Sequence, residues 1–460
     1  MKISTLASAL LISLGLATAS DAAEFARSPL RVVPNNYLVV LDDVAIGLTL
    51  GAEPEDRARA FEGLATDLRR VHGVRRSTLL NHLGILVVEA DERTARRLAR
   101  DPRVLLVEED AVGGISLFQQ CYAVDPYTGL PVPKPLANSY LPSSPQAIGC
   151  WDPQISCSDN WGLDRIGQRQ GDVWAHTTDF SYAFSATGAG VHIYLADTGI
   201  AWDHQEFLGS GGVARVGNGT SWVPQEPGTY DSFGHGTHVA GIAAGRRFGV
   251  AKQATVHSVR VCDRKGSCQQ SWVIGGLDWI AANAQRPAIV NMSFNLPRWR
   301  EDTSTLELAA SRFIAWYGIA IVNSAGNWNQ SASNFAPTSV PEVIVAGGID
   351  WVRNERWGAH YSQGCHTVGC GSNYGPSVDV FAPATDVRSA SMDPLRACRL
   401  TGTSMAAPHV TGVAALYLQL HPSATPAELQ SMLISTATVG VIPAANLGPG
   451  TPNRLLFTDY

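Results

Sequence analysis

Charged residues are scarce in this sequence: Asp, Glu, Lys and Arg together make up 16% of its 460 residues, and the net charge is −6. No cluster of Lys and Arg is interleaved with aromatic residues, so the charge pattern does not indicate a nucleic-acid partner. After the N-terminus, no apolar run reaches the about 18 residues of a membrane-spanning helix. The eight cysteines contain no C-x2-C pair, the spacing typical of structural zinc sites.

The N-terminus has the pattern of a secretory signal peptide over residues 1–23. Lys2 precedes an apolar run over residues 6–16, and small residues follow as far as Ala23. A membrane anchor is the alternative, but this run is too short to cross about 30 Å of hydrocarbon. We therefore expect an exported protein without a membrane span, located in the periplasm or outside the cell.

The cysteines fit export, because an even number permits complete pairing in an oxidising compartment. The spacings Cys262-x5-Cys268 and Cys365-x4-Cys370 predict short disulfide loops. The connectivity stays open, since Cys398 is an alternative partner for Cys365 or Cys370.

Residues 31–112 have the pattern of a small α+β domain. Apolar runs typical of strands alternate with amphipathic helical patterns, in the order strand 37–41, helix 54–71, strand 83–88, helix 92–100 and strand 104–107. Residues 113–157 are rich in Pro and Ser and predict a linker.

From residue 158 to residue 460, short and almost continuous apolar runs alternate with helical patterns. This alternation predicts an α/β domain with a mostly parallel sheet covered by helices on both faces. Ligands of such sheets bind at the carboxyl ends of the strands. Asp197 and Ser293 both follow directly after a predicted strand.

Three motifs place an aspartate, a histidine and a serine in that order along the chain. They are Asp197-Thr198-Gly199-Ile200, Gly234-His235-Gly236-Thr237-His238 and Gly402-Thr403-Ser404-Met405-Ala406-Ala407-Pro408. A serine hydroxyl becomes an effective nucleophile when a histidine takes its proton, and a carboxylate orients that histidine. Taken singly, Asp197 and Ser404 also suit turns or helix caps, and we expect His238 to be a buried packing residue.

Asn327 adds a fourth polar group, in the segment that follows a predicted strand over residues 320–323. A side-chain amide and the backbone N–H of Ser404 together supply two donors to a tetrahedral oxyanion. The alternative for Asn327 is a left-handed turn.

These residues resemble the subtilisin-like serine proteases, whose triad runs Asp, His, Ser, and in particular the proteinase K branch. The resemblance covers roughly residues 158–460, including Trp161-Gly162-Leu163-Asp164-Arg165-Ile166 and Thr451-Pro452-Asn453-Arg454-Leu455-Leu456. It implies a subtilisin-like three-layer domain and no cofactor for catalysis. It also implies that Asp197, His235 and Ser404 form the triad and that Asn327 donates to the oxyanion.

The unit over residues 31–112, with its ending Val104-Leu105-Leu106-Val107-Glu108-Glu109-Asp110, resembles the inhibitor-like propeptide of the same family. This implies a domain that assists folding, inhibits the enzyme within the same chain and is then cut off. We expect the cut within the maturation region 113–157.

The resemblance further implies that a peptide substrate lies antiparallel between two segments of the enzyme. The matching residues are Gly266, Ser267, Cys268, Ser293, Phe294 and Asn295. Asn295 stands where the family has glycine, and Leu296-Pro297 follow where glycines are common. We therefore expect a side chain at position 295 to narrow the primary pocket and the substrate preference.

A structural calcium ion is the last implication of the resemblance. Pro341, Val343 and Asp379 match positions that supply two carbonyls and a carboxylate in the proteinase K branch, and oxygen ligands suit this hard cation. An ordinary turn with a surface aspartate is the alternative.

The function predicted from the sequence is therefore that of a secreted serine endopeptidase. It would be made as a self-processing zymogen and would act as a monomer on protein or peptide substrates. A non-catalytic secreted binding protein on a degenerate protease scaffold is the alternative.

Overall fold

The computed structural model describes residues 24–28, 31–49, 51–115, 118–120, 161–169, 182–298, 303–350, 356–357 and 370–460. The predicted signal peptide and most of the predicted linker lie outside these residues. So do four of the cysteines, at positions 121, 150, 157 and 365.

The N-terminal unit is a five-stranded sheet with two helices, in the spatial order β1-β5-β2-β4-β3. Its elements are β1 (Glu24–Ala26), β2 (Val32–Leu41), α1 (Pro54–His72), β3 (Arg76–Leu80), β4 (Ile85–Glu89), α2 (Glu92–Leu98) and β5 (Val104–Gly114). Helix α1 buries Phe61, Leu64 and Leu68 in a core shared with apolar residues of the sheet. Strand β3 is an addition to the predicted order, since its mixed polar sequence at the edge of the sheet lacks an apolar run.

The larger unit begins after the N-terminal sheet and contains the remaining elements. Its strands are β6 (Phe118–Gln120), β7 (His192–Asp197), β8 (Thr220–Ser221), β9 (Thr255–Arg260), β10 (Ser267–Gln269), β11 (Ala288–Met292), β12 (Leu296–Pro297), β13 (Ala320–Ser324), β14 (Phe335–Ala336), β15 (Ile344–Ile349), β16 (Val380–Pro383), β17 (Val387–Ala390), β18 (Ala397–Thr401), β19 (Thr438–Val439) and β20 (Arg454–Leu455). Its helices are α3 (Trp161–Ile166), α4 (His235–Ala244), α5 (Gln270–Asn283), α6 (Thr305–Tyr317), α7 (Thr403–Leu420) and α8 (Pro426–Thr436).

A nine-stranded sheet in the order β19-β20-β16-β15-β13-β11-β7-β9-β8 forms the centre of this unit. All pairings are parallel except that of β19 with β20. The central strands are buried along their whole length, as their continuous apolar sequences predict. Helices α4 and α7 pack together and against these strands, while α5 and α6 form a second pair. The predicted three-layer α/β class is therefore confirmed. None of the helices in the described ranges is both long and apolar enough to cross a membrane.

The two units meet through buried polar contacts as well as apolar ones. The Asp278 carboxylate on α5 accepts hydrogen bonds from the backbone N–H groups of His82 (2.8 Å) and Leu83 (2.9 Å). The Arg312 guanidinium on α6 donates to the carbonyls of Leu83 and Leu41, each at 2.9 Å. Each of these side chains therefore satisfies backbone groups of the other unit in the buried contact.

Candidate active site

Asp197 and His235 form a buried hydrogen-bonded pair at the carboxyl end of the central sheet. Asp197 is the last residue of β7 and His235 the first residue of α4. The His235 Nδ1 atom lies 2.7 Å and 2.9 Å from the two carboxylate oxygens of Asp197. A carboxylate on this side keeps the proton on Nδ1, which leaves the Nε2 lone pair available to accept a proton.

Ser404 is the second residue of α7, and this helix packs against α4. The Ser404 hydroxyl donates to the backbone carbonyl of Ser293 at 2.9 Å. The His235 Nε2 atom is buried and has no hydrogen-bond partner among the described residues. The serine hydroxyl is therefore directed at Ser293 and not at the histidine in this structure.

Asn327 lies in the loop after β13 and is oriented by the first residue of α7. Its Oδ1 atom accepts hydrogen bonds from the backbone N–H (2.9 Å) and hydroxyl (2.7 Å) of Thr403. A Cβ atom added at Gly402 would lie 3.2 Å from the Asn327 Nδ2 atom. The absence of a side chain at position 402 therefore leaves room beside the donor end of the amide.

Asp231 is a polar residue of this region that sequence reasoning missed. It is 1% exposed and accepts hydrogen bonds from the Thr198 hydroxyl (2.9 Å), the Gly234 N–H (2.9 Å) and the Thr237 N–H (2.9 Å). Its carboxylate thus joins the turn after Asp197 to the start of α4. The only signal in the sequence is an aspartate a few residues before the Gly234-His235 motif.

His238, the second histidine of that motif, is fully buried. Its Nε2 atom lies 3.1 Å from the backbone carbonyl of Cys398, and burial lowers its pKa to about 3. The ring therefore stays neutral and acts as a packing and hydrogen-bonding group. This is the role expected from the sequence.

The two predicted substrate segments hold a strand of this chain's own N-terminal unit between them. Strand β5 pairs antiparallel with β10, in the register Gly114 with Ser267 and Gly113 with Cys268. On the other side, Gly114 forms an antiparallel bridge with Asn295. Strand β6 then pairs with β18, which leads directly into the Gly402–Ser404 segment. The chain is therefore paired with the larger unit through both β5 and β6.

Comparison with known proteins identifies the family of this chain. The Subtilase family matches residues 188–456. The chain is 34% identical over 443 residues to an extracellular serine proteinase of Thermus sp. (strain Rt41A), covering 94% of this chain and 91% of that protein. It is 30% identical over 466 residues to a cuticle-degrading serine protease of Arthrobotrys oligospora, covering 98% of each.

This chain belongs to the subtilase family. A solved cold adapted subtilisin-like serine proteinase supports the assignment at the level of the fold. It shares 36% identity and a TM-score of 0.54, over 65% of this chain and 97% of that one. The protein is accordingly a serine endopeptidase, and the family requires no cofactor for catalysis.

Asn295 of this subtilase turns its side chain into the protein. Its Nδ2 atom donates to the Asn323 Oδ1 atom (3.0 Å) and to the Ser324 carbonyl (2.7 Å), and the residue is 3% exposed. Phe294 is also buried. The Asn295 side chain therefore holds the end of β13 in place, and its effect on the primary pocket stays a prediction.

A disulfide joins Cys262 and Cys268, which confirms one of the two predicted loops. The Cys262 N–H donates to the Asp197 carbonyl at 3.2 Å, and Cys268 lies in β10. The bond therefore ties the strand that pairs with β5 to the backbone beside the Asp197–His235 pair. Cys370 also takes part in a disulfide.

Two of the three residues expected to bind calcium, Pro341 and Asp379, are joined by a glutamine. The Gln430 Nε2 atom donates to the Pro341 carbonyl (3.0 Å) and to the Asp379 Oδ1 atom (3.1 Å), while Asp379 Oδ2 accepts from the Val345 N–H (2.8 Å). Burial raises the pKa of Asp379 to about 6. An amide nitrogen thus occupies the space that a cation would need in order to bind the same two oxygens, so a metal fits there only if Gln430 turns away.

Proposed function

We propose that this subtilase cleaves peptide bonds through an acyl-enzyme formed on Ser404. The Ser404 hydroxyl turns from the Ser293 carbonyl to His235 Nε2, loses its proton there and attacks the substrate carbonyl. His235 then gives the proton to the leaving amine, and Asp197 holds the imidazole and stabilises its charged form. The observation that carries this proposal is the buried contact of 2.7 Å between Asp197 and His235.

The developing oxyanion is held by two donors in this proposal. One is the backbone N–H of Ser404 at the beginning of α7, where the first N–H groups of a helix have no partner within the helix. The other is the Nδ2 group of Asn327, whose opposite end is fixed by Thr403. Donors that are oriented before the reaction stabilise the tetrahedral intermediate without a cost for reorganisation.

The N-terminal unit, in this proposal, is an inhibitory propeptide that is cut off by the enzyme itself. Support comes from the strand pairing of Gly113 and Gly114 in the cleft and from the pairing of β6 with β18, the strand that leads into the Ser404 segment. The chain would be cut between Ile115 and Phe118, within the predicted maturation region 113–157. The released unit would continue to cover the cleft through its contacts with α5 and α6.

We also propose that the enzyme is exported and acts as a monomer on protein or peptide substrates. The predicted signal peptide and the extracellular relative from Thermus support export. A structural calcium ion bound by Pro341, Val343 and Asp379 stays a prediction. The ion would bind only after the Gln430 amide breaks its hydrogen bonds to Pro341 and Asp379.

The test is to express the full chain as wild type and as Ser404→Ala, with Ser431→Ala, a substitution on α8, as the control. We expect the wild type and the control to hydrolyse casein and to lose the N-terminal unit. The Ser404→Ala protein should stay uncut and inactive. Processing together with casein hydrolysis by purified Ser404→Ala protein would refute the assignment.

A further inference from the structure

We propose that the substrate cleft favours glycine at the position now held by Gly113, so that this endopeptidase prefers glycine-containing segments. The inference rests on the proposed function, in that residues 112–115 are taken to lie in the cleft as a substrate does. It concerns a subsite several residues before the cleaved bond and is independent of the primary pocket.

The space beside Gly113 is filled by a buried leucine. A Cβ atom added at Gly113 would lie 2.6 Å from the Leu296 Cγ atom, 3.1 Å from its Cδ1 atom and 3.1 Å from the Asn295 carbonyl oxygen. Carbon atoms in favourable contact are about 3.5 to 4.0 Å apart, so even an alanine would overlap this wall. The subsite is therefore closed to every side chain unless the wall moves.

Both walls of this subsite are tied to the rest of the larger unit. Leu296 belongs to the main apolar core and pairs through β12 with Ala336. Opposite it, Cys268 pairs with Gly113 and is held by its disulfide to Cys262. A larger substrate side chain would have to move a packed core residue or a strand that is covalently tethered.

The next position of the bound strand is also narrow. A Cβ atom added at Gly114 would lie 3.0 Å from the backbone carbonyl oxygen of Gly266. That oxygen accepts a hydrogen bond from the Ile115 N–H at 2.8 Å, so moving it would weaken the pairing of the strand. Two consecutive glycines of the chain thus match a cleft that has little room for side chains. The space for an added Cβ atom is smaller at Gly113 than at Gly114.

The experiment uses processed wild-type enzyme and synthetic peptides with the sequence of residues 110–120, Asp-Ala-Val-Gly-Gly-Ile-Ser-Leu-Phe-Gln-Gln. The test peptide carries Gly113→Ala, and the control peptide carries Val112→Ala. Products are identified by mass spectrometry, and kcat/KM is measured for the same cleaved bond in each peptide. We expect Gly113→Ala to lower kcat/KM about tenfold or more, because overpacking typically costs that much, while Val112→Ala changes it less than about threefold.

A second enzyme shows whether Leu296 is the cause. In Leu296→Ala enzyme, the kcat/KM ratio between the glycine and alanine peptides should fall to about threefold or less. Because both peptides are compared on the same enzyme, any loss of stability in the variant cancels from the ratio. Equal kcat/KM for both peptides on wild type, or an unchanged ratio on Leu296→Ala enzyme, would overturn the inference. If wild type cleaves no peptide and no casein, the proposed function itself fails.

Discussion

Asp231 accepts a hydrogen bond from the Thr198 hydroxyl, 2.9 Å away, and this contact joins the loop before His235 to the residue after Asp197. The same carboxylate accepts from the backbone and hydroxyl of Thr237 on α4. The relative position of Asp197 and His235 therefore depends on a third acidic residue, which takes no part in the proposed proton transfer.

Asp231→Ala should lower kcat more than it raises KM. The imidazole would lose its fixed position relative to Asp197, and small misplacements of catalytic groups cost up to about 10² in rate. Steady-state kinetics on a peptide substrate provide the measurement, with the exposed Asp459→Ala as the control. Asp231→Asn keeps one acceptor oxygen and should recover part of the loss. Equal kcat in Asp231→Ala and wild type would show that the network does not position the pair.

Asn327→Ala should lower kcat by about 10² to 10³ with little change in KM, because its amide is used only when the oxyanion forms. Thr403→Ala removes a hydroxyl that orients the amide, at 2.7 Å from Asn327 Oδ1, and should have a smaller effect in the same direction. The Asn327→Ala,Thr403→Ala double variant should then be no slower than Asn327→Ala alone. Additive losses would indicate that Thr403 acts independently of Asn327.

Local patterns predicted the surroundings of the candidate site well. Asp197 ends a buried strand, as the apolar run before it indicates, and Ser404 lies in the first turn of a buried helix. The disulfide between Cys262 and Cys268 was equally predictable, because a short loop keeps its two ends close together. In each case the determining residues are neighbours in the sequence.

Contacts between distant segments were not predictable in this way. Gln430 meets Pro341 and Asp379 only because α8 folds back beside them, and no local pattern contains that information. The fit of Gly113 against Leu296 likewise depends on how two units pack together. Motifs and periodicity predict single helices and strands. The shape of a subsite, and a side chain that competes with a metal ion, depend on how these helices and strands pack together.

Gln430→Ala should make the protein more responsive to calcium. Removing the amide leaves the Pro341 carbonyl and the Asp379 carboxylate without their shared donor, so a cation can approach both oxygens. At pH 8, above the pKa of about 6 that burial gives Asp379, the carboxylate is ionised and able to bind. Thermal unfolding with and without CaCl₂ measures the response, with MgCl₂ as the control.

When the calcium concentration is a hundred times the Kd, binding to one site in the folded protein adds about 2.7 kcal/mol to the free energy of unfolding. We expect a calcium-dependent rise in Tm for Gln430→Ala that exceeds the rise for wild type. Adding Asp379→Asn to the variant should remove the difference. A larger calcium response in wild type than in Gln430→Ala would show that Gln430 does not compete with the ion.

Asp278 should make the binding of the N-terminal unit to the enzyme depend on pH. Burial between the units raises the pKa of this carboxyl to about 7, although it accepts hydrogen bonds from His82 and Leu83. When the unit leaves, we expect water to return the pKa toward its ordinary value near 4. The docked form therefore binds the proton more tightly, and docking is weakened as the pH rises through this interval.

The measurement is the rate at which activity appears after processing, compared between wild type and Asp278→Asn from pH 5 to pH 8. Burial also lowers the pKa of His82, and Tyr317 lies nearby, but both groups are present in both proteins, so their contributions cancel in the ratio. Asparagine keeps an oxygen for the two N–H groups and does not titrate. We expect the wild type to release the unit faster relative to Asp278→Asn as the pH rises, by up to about a hundredfold over this range. A ratio that does not change with pH would mean that Asp278 has the same pKa in the docked and released forms.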